Sequence, residues 1–245
     1  MNVKEYLLER IADRTIHMAL IDPDKQPAEK AGEIALRMKE AGTDAIMIGG
    51  STGITSENLS ATALAIKEKS GRPTIYFPES ANALSPDVDS IFFMSLMNSR
   101  DLDMVVRAQV KGAPIIKYLG IEPISMGYII VEPGMKVGEV GQADLVKRDD
   151  IKLAVGYALA AQMFGMSFVY LEAGSGAYEP VPPAMISAVK QAIDIPLIVG
   201  GGIRTPEAAQ AAREAGADAI VTGTFIEQCD DDSKVTAVIK AATGL

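Results

Sequence analysis

The sequence predicts an α/β fold, a modified (β/α)8 barrel, on three observations. The chain has 245 residues, close to the size usual for such a barrel. Short apolar runs alternate with helix-period segments from Thr15 onward, which implies a parallel sheet covered by helices. Two successive apolar runs near the chain end, Leu197–Val199 and Ala219–Val221, each stop at glycine: Gly200-Gly201-Gly202 and then Gly223-Thr224. Glycine-ended strands 7 and 8 are where barrels of this class hold phosphate, through backbone N–H groups and a helix N-terminus. The alternative is a pair of ordinary glycine-rich turns. Recurrence of the glycines at the same place in consecutive units favours phosphate.

The elements follow in order. Val3, Tyr6, Leu7 and Ile11 stand at helical spacing before the first strand, so an extra N-terminal helix is expected to cover one end of the barrel. Thr15–Ile21 reads as strand 1, Ala28–Ala41 as helix 1, Ala45–Ile48 as strand 2 and Ser56–Lys69 as helix 2, with Thr55 and Asn58 as its nearest approach to a capping box. Thr74–Phe77 is strand 3, stopped by Pro78. Glu79–Ser90 carries no helical stripe, and a loop is expected in place of the third helix. Ile91–Met94 is strand 4 and Asp101–Val110 helix 4; Glu122–Met126 reads as a connection leading to strand 5 at Gly127–Val131. Glu132–Asp149 is polar and glycine-containing, a candidate lid. Asp150–Gly165 is helix 5, where Ala154, Ala158 and Ala161 permit close packing; Ser167–Leu171 is strand 6 and Pro183–Ile193 helix 6. Thr205-Pro206-Glu207 opens helix 7 as N-cap, first-turn proline and first-turn acid, and Ser233–Ala242 is helix 8. No composition shift divides the chain, so residues 1–245 are expected to form a single domain.

Composition excludes several classes. Hydrophobic residues make up 48% of the chain, enough for a substantial core, and the net charge of −9 with no basic run argues against nucleic acid. No apolar run reaches the length of a membrane span. Met1–Arg14 reads as a charged amphipathic helix rather than a signal peptide. The single cysteine, Cys229, rules out an intrachain disulfide and suits a cytoplasmic setting. The single histidine, His17, falls inside strand 1, well before its end, and reads as a packed core or bottom-face residue rather than a catalytic base.

Functional groups of a barrel gather at strand C-termini. The candidates there are Asp22, Asp24 and Lys25 after strand 1, Ser51 and Thr52 after strand 2, Asn98 after strand 4, Glu172, Ser175 and Gly176 after strand 6, the later glycines, and Arg204. Asp22 and Ser51 end adjacent strands; a carboxylate and a hydroxyl, completed by waters and ligand oxygens, suit Mg²⁺, while a helix-capping turn is the alternative for Asp22 to Lys25. Glu172 ends a buried strand beside two glycines, as a general base facing a hydroxyl would; its alternative is an ion pair with a Lys or Arg in the barrel mouth.

These stretches together resemble the geranylgeranylglyceryl phosphate synthase family. The resemblance rests on Leu20-Ile21-Asp22-Pro23-Asp24-Lys25, Ile48-Gly49-Gly50-Ser51, Leu96-Met97-Asn98-Ser99, Tyr170-Leu171-Glu172-Ala173-Gly174-Ser175-Gly176, Val199-Gly200-Gly201-Gly202-Ile203-Arg204 and Val221-Thr222-Gly223-Thr224, in the family's order and across nearly the whole chain. It implies a barrel lacking its third helix, in agreement with the helix-free stretch. It also implies a prenyltransferase that joins geranylgeranyl diphosphate to the 3-hydroxyl of sn-glycerol 1-phosphate with the help of Mg²⁺, releasing diphosphate, at the first ether-bond step of archaeal membrane lipid synthesis. By motif, Asp22 and Ser51 resemble the metal positions. Tyr170 to Gly176 (Leu171, Ala173, Gly174 and Ser175 included), Gly201, Gly202, Gly223 and Thr224 resemble the glycerol phosphate site, and Glu172 the acid facing the glycerol hydroxyl.

Two positions depart from the pattern: Leu20 stands where bacterial members carry lysine, and Thr224 where many relatives carry asparagine. The stretch from Leu20 to Lys25 favours the archaeal side and with it the four-isoprene donor, against a heptaprenyl-specific relative. Phe77, Phe93, Met94 and Met97 lie near strand ends where a prenyl groove would run. A homo-oligomer is implied as well. The rival readings are a sugar-phosphate isomerase, which would need a second acid that no strand end supplies, and a non-catalytic phosphate-binding barrel.

Overall fold

The computed structural model describes residues 2–50 and 52–245. Strands β1 (Ile16–Ile21), β2 (Ala45–Ile48), β3 (Thr74–Tyr76), β4 (Ser90–Leu96), β5 (Glu122–Ile130), β6 (Phe168–Glu172), β7 (Leu197–Gly200) and β8 (Ala219–Thr222) form a closed, all-parallel barrel in sequence order. The ring closes between β8 and β1, with His17 opposite Ile220 and Ala19 opposite Thr222. Alternation along each strand splits the core in two. Met18, Met47, Phe92, Tyr128, Phe168, Tyr170 and Ile198 fill the barrel interior. Ala19, Ile21, Ile46 and Ile48 face the helices, as strands buried on both sides require.

Helix α1 (Val3–Asp13) plugs the N-terminal end of the barrel, as expected: Val3 and Leu7 are buried in the interior cluster, and Glu122 at the start of β5 accepts the amides of Val3 at 2.6 Å and Lys4 at 3.1 Å. α2 (Ala28–Ala41) and α3 (Ser56–Ser70) follow β1 and β2. Thr55 and Asn58 cap α3 reciprocally, each side chain taking the other's amide. No helix joins β3 to β4, so the expected gap in the helical ring is present.

The structure corrects four boundaries. β5 begins at Glu122, not Gly127; Pro123 and Ser125 break the apolar signal, yet Glu122 pairs in register with Ser90 and Pro123 with Ile91. The helix after β4 is a π turn, Asp103–Arg107, that runs into α4 (Ala108–Leu119); Gly112 and Pro114 hid its second half, because both are poor helix formers. The candidate lid contains α5 (Met135–Val140) and is pinned: the amide of Asp144 donates to the Asn98 carbonyl at 2.8 Å, and the Asn98 side chain donates to the carbonyls of Ile130 at 2.9 Å and Asp144 at 2.8 Å. A short helix α9 (Thr224–Gln228) follows β8 before the final helix, α10 (Asp232–Thr243).

On the other side of the barrel, α6 (Ile151–Met163), α7 (Pro183–Ala192) and α8 (Pro206–Glu214) cover β5 to β8. Ala154, Ala158 and Ala161 of α6 are fully buried, and a Cβ on Gly127 of β5 would lie 2.5 Å from that of Ala161. Small residues on both partners bring that helix onto the sheet. His17 is buried on the helix-facing side, its ring nitrogens 2.8 Å from the Thr43 hydroxyl and 2.9 Å from that of Thr222; it is a core residue, as expected. No described helix is long and apolar enough to cross a membrane.

Candidate active site

Two cavities open at the C-terminal end of the barrel, and they share a wall made by Leu20, Tyr170, Glu172, Ser175, Gly223 and Thr224. The first is an apolar groove of about 210 Å³. It leaves the barrel mouth past Phe77, Phe93 and Met94 and runs between α4 and the helix-free stretch, reaching Ala81, Leu84, Gly112 and Ile116. The missing third helix is what makes the space. Of the four residues expected to line it, Phe77, Phe93 and Met94 do; Met97 faces the opposite way and packs among the residues under α6. The second cavity is the more polar of the two and is bounded by Gly176, Gly201, Gly202, Gly223 and Thr224. Gly201 and Gly202 adopt φ of +82° and +72°, conformations that side chains other than glycine rarely take. The hydroxyls of Ser175 and Thr224 meet across this cavity at 2.5 Å.

Glu172 stands on the shared wall. Its residue is 7% exposed, and Oε1 accepts the amide of Gly174 at 2.7 Å. Burial raises its pKa above the ordinary carboxylate value, and the phenols of Tyr170 and Tyr128 together with the Gly174 amide work against that rise. Those two rings pack edge to face, 5.0 Å between centroids, and burial beside Glu172 pushes both phenols well above their usual range. No described Lys or Arg pairs with Glu172, so the ion-pair alternative does not apply. A buried carboxylate with a raised pKa, open to two cavities, has the properties of a general base.

The other expected positions divide. Leu171 and Ala173 turn into the core beneath the helices, so their side chains reach neither cavity. Gly174 is buried with its amide committed to Glu172. Arg204 borders the polar cavity but donates to the carbonyls of Gly176 and Ala177, bracing the loop after β6 against the loop after β7. Asn98 is 3% exposed and serves as the latch of the 132–149 segment rather than as a mouth residue. Ser51 lies outside the described residues.

Asp22 ends β1 at the mouth of the groove. Oδ1 accepts the Asp24 amide at 3.1 Å, and Oδ2 lies 3.4 Å from the Lys25 ammonium. The sequence reading missed its partner Glu227, carried on α9: Oε1 accepts the Asp22 amide at 2.9 Å and Oε2 the Lys25 ammonium at 2.9 Å. Burial would lower the pKa of Lys25, but Glu227 and Asp22 outweigh it and hold the pKa above its ordinary value. Nothing in the local sequence marks Glu227, which reaches the site only because α9 turns back over β1. Lys234 of α10, also missed, borders the polar cavity. No described group of three or more His, Cys, Asp or Glu side chains surrounds a common point. A single carboxylate with spare lone pairs still fits Mg²⁺, which commonly takes one or two protein carboxylates and completes its shell with water and phosphate oxygens.

A family model described as the PcrB family matches residues 9–242. The chain is 53% identical to the geranylgeranylglyceryl phosphate synthase of Thermococcus kodakarensis over 95% of its own length and 92% of the relative's. It is 51% identical to that of Methanosarcina acetivorans over 98% and 99%. Its structure superposes on the crystal structure of (S)-3-O-geranylgeranylglyceryl phosphate synthase from Thermoplasma acidophilum in complex with sn-glycerol-1-phosphate with a TM-score of 0.96, at 46% identity and over the whole of both chains. The chain belongs to the PcrB family, alongside geranylgeranylglyceryl phosphate synthases.

Proposed function

We propose that this chain transfers the geranylgeranyl group of geranylgeranyl diphosphate to the 3-hydroxyl of sn-glycerol 1-phosphate, forming an ether and releasing diphosphate. The observation that carries the reading is the placement of Glu172 where an apolar groove meets a glycine-walled polar cavity. The groove takes the prenyl chain. The polar cavity takes glycerol phosphate, with Gly202, Gly223 and Thr224 at the phosphate and Tyr170, Glu172 and Ser175 toward the glycerol.

In the reaction the glycerol oxygen attacks C1 of the prenyl chain, the bond from C1 to the bridging oxygen breaks, and diphosphate leaves with that electron pair. Glu172 orients the hydroxyl and accepts its proton as the ether forms. Holding the two substrates in line supplies much of the rate, since the allylic centre needs little push from the nucleophile. Asp22, together with Ser51 by the family motif, would hold Mg²⁺, which when bound would neutralise charge on the leaving diphosphate. Lys25, tethered by Glu227, adds a fixed positive charge beside the same group. We further expect the protein to act in the cytoplasm as a homo-oligomer, checked by light scattering.

The test is direct. Purified protein given geranylgeranyl diphosphate, sn-glycerol 1-phosphate and Mg²⁺ should release diphosphate and form the prenyl glyceryl ether, detected by mass spectrometry. Absence of the ether, or release that does not depend on glycerol phosphate, overturns the reading.

A further inference from the structure

We propose that Glu227 is a positioning residue for the metal site: it draws the Lys25 ammonium off Asp22 and so keeps that carboxylate free for Mg²⁺. The inference rests on the reading of Asp22 as the Mg²⁺ position and adds the residue that keeps the position open.

Glu227 borders the groove mouth, where an anionic leaving group is expected, and its side chain is only 7% exposed. An acid there opposes diphosphate binding unless it does something else. Lys25 is the one described cation that pairs with it, and a buried carboxylate needs such a partner. Two carboxylates compete for that lysine. Lys25 Nζ donates to Glu227 Oε2 at 2.9 Å, whereas it lies 3.4 Å from Asp22 Oδ2 without a hydrogen bond. Glu227 holds the nearer place. Asp22 is meanwhile aimed and only partly used. Its Oδ1 accepts the Asp24 amide at 3.1 Å, and its carboxylate packs against Gly50 after β2, where a Cβ would collide with it. The second oxygen of Glu227 does the aiming: Oε1 accepts the Asp22 amide at 2.9 Å and the Gln26 side chain at 3.4 Å. One carboxylate thus fixes the backbone of the turn with one oxygen and holds the lysine with the other. The Lys25 side chain is 54% exposed, and no other described acid pairs with it. Released by Glu227, its ammonium would close on Asp22, three residues back, and stand where a hard cation has to bind.

The test is a double-variant cycle on Glu227→Gln and Lys25→Met, read as the Kd of Mn²⁺ alone, which shares the oxygen ligands of Mg²⁺ and is followed by its electron paramagnetic resonance. No substrate is present, so any contact of Lys25 with diphosphate does not enter. Glutamine keeps an oxygen for the Asp22 amide but loses its hold on the ammonium, and Glu227→Gln should raise Kd. Removing Lys25 should then lower Kd by about tenfold in the Glu227→Gln background but by about twofold or less in the wild type, a non-additivity that marks contact between the two side chains. A uniform charge effect would make Lys25→Met count equally in both backgrounds. A purely structural role for Glu227, or direct ligation of the metal by it, would leave the loss in place when Lys25 is removed. Either result in folded variants overturns the inference and leaves the proposed function standing. Glu227→Asp, which shortens the tether, replaces Glu227→Gln if that variant does not fold, and should give the same pattern at smaller size. Mn²⁺ binding to the wild type that Asp22→Asn does not weaken overturns the reading of Asp22 as the metal position instead.

Discussion

The amide of Gly174 donates to Glu172 Oε1 at 2.7 Å, from a glycine whose φ of +102° turns the loop after β6 back over its own strand. That bond points the carboxylate along the wall between the two cavities. Glu172→Gln keeps an acceptor for Gly174 but removes the base, and kcat should fall by about 10²–10⁴-fold with little change in prenyl diphosphate binding. Glu172→Asp should be nearly as harmful, since a shift of about 1 Å can cost about 10²-fold. Near-normal kcat in folded Glu172→Gln would make the acid structural.

The raised pKa of Glu172 has a second consequence, visible without substrate. Burial is its largest cause, so the folded state binds a proton more tightly than the unfolded state does. Between the ordinary carboxylate value and the raised one, stability therefore falls as pH rises. Above that window Glu172→Gln should melt higher than the wild type, by about 2–4 °C for each kcal/mol released. The acidic limb of the kcat profile should likewise sit above the ordinary glutamate value. Equal melting curves at all pH values would contradict the assignment.

Gly202 tests the phosphate cavity. Its φ is +72°, and a Cβ there would come within 2.9 Å of the backbone at Glu179 and Pro180. Any side chain strains this loop, and alanine adds the least beyond the Cβ itself, so alanine is the change to test. Gly202→Ala should raise KM for glycerol phosphate about tenfold or more, equivalent to about 1.4 kcal/mol, while the KM for prenyl diphosphate holds. An unchanged KM in a folded variant would move the phosphate elsewhere.

Asp22→Asn should increase the Mg²⁺ concentration needed for half-maximal rate, because a neutral amide is a far weaker ligand for a hard cation. Mg²⁺-dependent protection of the 22–26 segment in hydrogen exchange should weaken in parallel. If a bound diphosphate analogue and its metal were found far from Asp22, the assignment would fall.

His17 gives a prediction independent of catalysis. Burial, helped by the charge of Arg14, lowers its pKa to about 3 from an ordinary 6.5. The unfolded chain takes up a proton there first as pH falls, so stability conferred by the neutral imidazole is complete above about pH 6.5 and is lost toward pH 3. As the protein's only histidine, it can be followed by proton NMR without assignment. Its ring resonances should stay constant from pH 8 to pH 5; a native midpoint near 6.5 would refute the buried placement.

What the sequence determined by itself was periodicity, punctuation and local chemistry. The alternation of apolar runs with helical stripes, the glycine turns after Val199 and Thr222, the Thr205-Pro206 helix start and the missing stripe at 79–90 are all local signals, and each has its counterpart in the barrel. Glu172 was legible for the same reason, as an acid ending an apolar strand beside glycines. Tertiary structure alone decided the rest. Glu122 and Pro123 belong to β5 because β4 pairs with them. The second half of α4 is helical despite Gly112 and Pro114, its inner face closing the groove that the absent helix left open. Glu227 joins Asp22 and Lys25 across some two hundred positions of sequence. Leu171 and Ala173 lie within the binding motif yet point away from it, because neighbours on a strand face opposite sides of the sheet. Contacts between residues distant in sequence depend on how the sheet closes and where each helix crosses it, and no window of neighbouring residues encodes either.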